Sequence, residues 1–139
     1  MAPAIRKKLR LIVPLAYMVG ILMLSSIEQS AVPDVDEPLR GLSPLLQNLL
    51  HIPLYAILAG IGFWALAGYT EQRGYKTGLT LLMVLAFSII DETYQATVPG
   101  RTSSLMDVAL DVTGGILALV VLTRMGRPGR QRKQNPAAR

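Results

Sequence analysis

Residues 77–123 read TGLTLLMVLAFSIIDETYQATV, then PGRTSS, then LMDVALDVTGGILALVVLT: two apolar runs, Thr77 to Val98 and Leu105 to Thr123, flanking a six-residue connection. At about 1.5 Å per residue, each run is long enough to cross most or all of a hydrocarbon core of about 30 Å as a helix. Backbone in hydrocarbon must satisfy its own hydrogen bonds, so only a helix or a closed barrel is admissible. The connection Pro99-Gly100-Arg101-Thr102-Ser103-Ser104 leaves room only for a tight turn. The two helices are therefore antiparallel neighbours.

Two further runs lie upstream, Leu11 to Ile27 and Leu45 to Tyr69. The fold class this predicts is all-α, a four-transmembrane-helix bundle. Composition agrees: 51% of the 139 residues are hydrophobic and only 17% charged, too apolar for an ordinary water-soluble domain. Pro14 and Gly20 in the first run are tolerated in membrane helices. The preface Arg6-Lys7-Lys8-Leu9-Arg10 would suit a signal peptide, but no clean small-x-small site follows, so the run is expected to be retained. Ser43-Pro44 announces the second helix as N-cap and first helical residue, and Pro53 is expected to bend it.

Orientation follows from the basic residues, because Lys and Arg flanks are retained in the cytoplasm. Four stand at the N-terminus, two in the loop at Arg73 and Lys76, and six in the tail, so 12 of the 14 share one side. The other side holds Arg40, among Glu28, Asp34, Asp36 and Glu37, and Arg101. Both termini are thus expected to be cytoplasmic. The expected organisation is a basic N-terminus 1–10, a four-helix domain 11–123 and a basic, disordered tail 124–139. The net charge of +5 reports topology, since no aromatic–basic stripe suggests a nucleic-acid partner. With no cysteine there is neither disulfide nor thiolate chemistry.

His51, Asp91, Glu92, Asp107 and Asp111 fall inside the spans, where an ionisable side chain costs about 2.5 kcal/mol or more at mid-bilayer. Their depths agree. His51 lies about 9 Å below Leu45, Asp91 about 10 Å below Val98 and Asp111 about 9 Å below Leu105. They also share helix faces: Ser88, Asp91, Glu92 and Gln95 on one helix; Ser104, Asp107, Asp111, Gly114 and Ala118 on another; Asn48, His51, Tyr55 and Gly62 on a third. Small residues on those faces permit close approach, so the three stripes are expected to meet around an outward-facing polar cleft. Four carboxylates against Arg101 and one histidine leave an excess of about two negative charges if all ionise, which a low-dielectric site does not hold. Either some carboxylates keep protons, or a divalent cation or a water-filled opening compensates.

The string Asp91-Glu92-x-x-Gln95-x-x-x-Pro99-Gly100-Arg101-x-x-Ser104-x-x-Asp107, preceded by His51-x-x-x-Tyr55 and followed by Gly114, resembles the VanZ-like family of small bacterial membrane proteins. The resemblance covers Leu45 to Thr123. Its namesake is linked to reduced susceptibility to the glycopeptide teicoplanin, which acts on lipid-linked cell-wall precursors at the outer membrane face. The resemblance therefore implies a multi-pass protein of the bacterial cytoplasmic membrane, with the bilayer and a lipid-linked anionic envelope precursor as partners; it does not imply resistance for every member. Members often carry a basic residue where this chain has Asn48, and an asparagine where it has Asp111.

Each polar group has a functional and a structural reading. As an enzyme, the protein would use His51, Asp91, Glu92 and Asp107 as catalytic or metal-ligating groups, and Arg101, Gln95, Asp111 and Tyr55 to bind substrate, with Arg101 clamping a phosphate. As a non-catalytic interaction module, it would use the same groups to hold its helices together: His51 to Asp107 or Glu92, Arg101 to Asp91 or Asp107, Ser104 as an N-cap and Tyr55 as an interfacial anchor. Trp64, without polar companions, reads as packing, and Gly114-Gly115 as a close helix contact.

Overall fold

The computed structural model describes residues 3–26, 44–99, 101 and 103–126. Four helices make up nearly all of them: α1 Pro3–Ser25, α2 Pro44–Leu66, α3 Arg73–Gln95 and α4 Leu105–Met125. No strand occurs among the described residues, and all four helices are long and apolar enough to cross a membrane. The Ser43 cap, the acidic loop of Glu28, Asp34, Asp36, Glu37 and Arg40, Gly100 and Thr102 of the turn, and the tail after Gly126 lie outside the described residues.

The helix ends differ from the apolar runs for local reasons. α1 starts at Pro3, eight residues before Leu11, because basic side chains do not interrupt a helix that is leaving the bilayer. α2 stops at Leu66, short of Tyr69: Gly68 and Tyr69 donate to the carbonyls of Ala65 and Leu66 at 3.1 and 2.9 Å in a tightened last turn. α3 begins at Arg73, ahead of Thr77, and ends at Gln95, before Val98, since Pro99 disfavours helical geometry in the residue before it. α4 begins where Ser104 accepts from the Met106 amide at 3.1 Å, the N-cap expected of it. Asp107 in the first turn and Arg124 in the last both suit the helix dipole.

α2 is central. It packs against the other three helices, whereas α4 packs on α2 and α3 and stands apart from α1. The α2–α4 pairing is the most extensive, and glycine explains it. A Cβ at Gly114 would collide with the carbonyl oxygen of Ile52, so only a residue without one lets the backbones approach this closely. Gly115 likewise lies against Val84 of α3. Ile21, Tyr55, Leu58, Val84, Phe87 and Leu119 fill the core with contributions from all four helices. Leu82, Ile89, Ile90, Leu117 and Val121 point outward, a surface suited to lipid and not to water.

One end of the bundle is basic. The Arg10 guanidinium lies 5.0 Å from the centroid of the Trp64 ring and Lys76 Nζ 5.0 Å from that of Phe63, while Arg73 approaches Gly126. Trp64 therefore has a polar companion, contrary to its reading as packing alone. Its ring is half exposed and forms an interfacial cation–π contact. The turn between α3 and α4 lies at the opposite end, with the polar residues.

Candidate functional site

The three polar stripes do meet. His51 of α2 is bonded through Nδ1 to Oδ1 of Asp111 on α4 at 2.8 Å, and Ser88 of α3 donates to Oδ2 of the same carboxylate at 2.6 Å. One carboxyl group thus joins three helices. Asp107 or Glu92 was the expected partner of His51; the close seat of Gly114 on Ile52 sets the height of α4 against α2 so that Asp111, one turn deeper than Asp107, faces the ring. This is the one close contact between a basic and an acidic side chain among the described residues.

Asp91 forms a second junction. Its Oδ1 accepts from Ser25 at 2.7 Å, and its Oδ2 from Tyr55 and from Gln95 Nε2, each at 3.2 Å. These donors come from α1, α2 and one turn further along α3, so Asp91 is fully engaged in holding the bundle together. Ser25 is the residue sequence reasoning missed. A hydroxyl at the end of a span is equally what a solvated helix end presents, and no spacing signal sets it apart. Next to it, Ser26 and Tyr94 share a 2.8 Å hydrogen bond between α1 and α3.

Arg101 does not pair with Asp91 or Asp107 as its structural reading required. Its Nη1 donates to Oε1 of the neutral Gln95 at 3.0 Å, and its buried Nε has no hydrogen-bond partner among the described residues. The six-residue turn brings the guanidinium back over the end of α3, toward Gln95 and not toward a carboxylate.

Glu92 and Asp107 are the groups left over. Glu92 Oε2 accepts from the Ser104 amide at 2.8 Å, tying α3 to the start of α4, but its Oε1 is buried without a partner. Asp107 Oδ1 is in the same position. One potential ligand atom each from Glu92, Asp107 and His51 all lie within 4.8 Å of one another.

The cluster has buried and accessible members. Asp91 and Asp111 are 1% and 0% exposed. His51 and Arg101 are partly exposed and form its accessible rim. All eight residues singled out from the sequence therefore sit at one end of the bundle, as two connected junctions and one unsatisfied group.

Such a constellation, a partly exposed histidine and buried carboxylates between helices able to span a membrane, with an arginine that pairs with no carboxylate among the described residues, defines a multi-pass membrane protein with a polar site between its helices. The comparisons with known proteins agree: the VanZ/LLP1 family profile matches residues 4–126. The chain belongs to the VanZ/LLP1 family. No curated protein and no solved structure is significantly similar to it.

Proposed function

We propose that the protein resides in the bacterial cytoplasmic membrane with both termini in the cytoplasm, and that its hairpin end faces outward to receive the anionic head group of a lipid-linked envelope precursor. Arg101 carries this reading. A guanidinium at the rim, opposed by a neutral amide and with a buried N–H to spare, is a ready partner for a phosphate. The basic end formed by Arg10, Arg73 and Lys76 supports the orientation. In this reading Gln95 aims Arg101, Asp91 and Tyr55 fix Gln95, Asp111 orients His51, and His51, Glu92 and Asp107 are the groups that act on the bound head group. An effect on teicoplanin susceptibility would follow from altered handling of the precursor.

The test uses the full chain in nanodiscs containing a prenyl phosphate or a lipid-linked glycan, with retained lipid counted by native mass spectrometry. Wild type is expected to retain the phosphate-bearing lipid over a zwitterionic one, and Arg101→Gln to lose that preference while staying helical. No preference in wild type, or an equal one in the variant, refutes the proposal.

The three donors on Asp91 favour a second reading, a non-catalytic membrane module whose polar groups set helix register. His51→Gln and Asp91→Asn are close in shape to the native residues and remove their charge chemistry, Asp91→Asn at the cost of one accepted bond. If both variants fold and still produce the envelope phenotype, that reading holds and catalysis is excluded.

A further inference from the structure

A ring nitrogen of His51 and a carboxylate oxygen each of Glu92 and Asp107 converge, and each of the two acids keeps an oxygen without a partner among the described residues. Glu92 is 4% and Asp107 6% exposed, yet Glu92 Oε1 and Asp107 Oδ1 lack a hydrogen-bond partner among the described residues. Burying a carboxylate oxygen unpaired is unfavourable, and a second carboxylate close by adds repulsion. The His51 side chain, 13% exposed, closes the third side. Arg101 does not neutralise the pair, since it is bonded to Gln95. The group that belongs here is positive, small enough for an enclosed site, and able to accept nitrogen and oxygen donors together.

We propose that His51, Glu92 and Asp107 bind a divalent transition cation of the zinc type. His51 ligates through the ring nitrogen that Asp111 leaves free, and Glu92 and Asp107 through their unpartnered oxygens. One imidazole with two carboxylates suits Zn²⁺ or Mn²⁺ better than Mg²⁺ or Ca²⁺, which prefer oxygen alone. The dimensions fit. Three atoms at the corners of a triangle of 4.8 Å edge lie about 2.8 Å from its centre, against about 2.0–2.2 Å for zinc to nitrogen or oxygen, so each donor closes by less than about 1 Å. Asp111 takes the place that a carboxylate behind a metal-bound histidine commonly occupies, fixing the ring and raising its basicity. Three protein ligands leave a coordination position open. The role of that position toward a lipid phosphate rests on the reading above; the binding of the metal does not.

The test uses the full chain, purified in micelles without a polyhistidine tag, stripped with chelator and free of added lipid. Titration with Zn²⁺ and Mn²⁺ by calorimetry and elemental analysis is expected to give one ion per chain, with Mg²⁺ weaker. His51 is the one histidine of the sequence, so a single imidazole in the zinc X-ray absorption spectrum identifies the site with no substitution. Asp111→Asn is expected to weaken binding roughly 10–100-fold, and Glu92→Gln or Asp107→Asn by more. Absence of one-to-one binding in folded wild type overturns the proposal, as does bound zinc without imidazole, or folded Glu92 and Asp107 variants that bind like wild type. If the variants fail to fold, the imidazole signature decides alone. Arg101→Gln separates the two proposals: it retains zinc while losing the phosphate lipid, and zinc binding without lipid binding leaves the metal site standing and removes the head-group reading.

Discussion

Substituting Gly114 by alanine tests how the site is held. The added methyl collides with the Ile52 carbonyl oxygen, which is backbone and cannot swing aside. Restoring an ordinary carbon–oxygen contact of about 3.3 Å forces α2 and α4 apart by about 1 Å. His51 is next to Ile52 and Asp111 is one turn from Gly114, so the same displacement stretches their 2.8 Å bond to about 3.8 Å, beyond hydrogen-bonding range. Overpacking of this kind costs about 1–3 kcal/mol and the weakened buried bond about as much again, for a total of about 2–5 kcal/mol. Gly20→Ala is the control, since nothing lies within 4 Å of its added carbon. Gly115→Ala should fall between them, because the Val84 methyl it meets at 3.0 Å belongs to a side chain. Reversible unfolding in mixed micelles, followed by circular dichroism, gives the order. A Gly114→Ala protein as stable as Gly20→Ala would refute the argument that a backbone contact between α2 and α4 sets the height of the site.

Three other outcomes are expected. Asp91→Asn should destabilise by about 1–3 kcal/mol, because the amide nitrogen it introduces faces donors, whereas Asp107→Asn should be neutral or stabilising, because the native carboxylate oxygen has no partner among the described residues to lose; mixed-micelle unfolding measures both. Arg10→Ala should weaken the bundle by about 0.5–1 kcal/mol and change the emission of Trp64, the one tryptophan of the chain. The chain has no cysteine, so Ser103→Cys and Gln72→Cys can be labelled one at a time; in intact cells a membrane-impermeant maleimide should reach the first and not the second.

The four helices were legible because lipid imposes a length and a composition that soluble folds do not, and the shared depth of His51, Asp91 and Asp111 was legible because helical rise is constant. What the sequence left open was pairing. Asp107 and Asp111 lie one turn apart on one face, and the residue that meets His51 depends on an offset between α2 and α4 that no single helix carries. That offset is set by Gly114 against a backbone atom, a contact of which sequence displays only the small residue. Arg101 is similar: its reach is fixed by the path of the turn, and the path leads to Gln95. Ser25 joins the site only because α1 packs on α3, a tertiary fact without a local signature.

The division of labour among the carboxylates carries the most weight. Asp91 and Asp111 have donors on both oxygens, and each joins helices, so their burial is offset by the bonds they accept. Glu92 and Asp107 are buried nearly as deeply, and each keeps an oxygen with nothing to accept from. Folding stability is about 5–15 kcal/mol in a typical domain, so two such oxygens at about 1–3 kcal/mol each are a substantial burden. A glutamine and an asparagine at these positions would lighten that burden with little change of shape. Local stability therefore argues against the acids that are present, and a departure from it of this size marks the part of a protein shaped by what it binds. The four carboxylates are thus two pairs, one bonded across the bundle and one that keeps an unpartnered oxygen on each member among the described residues.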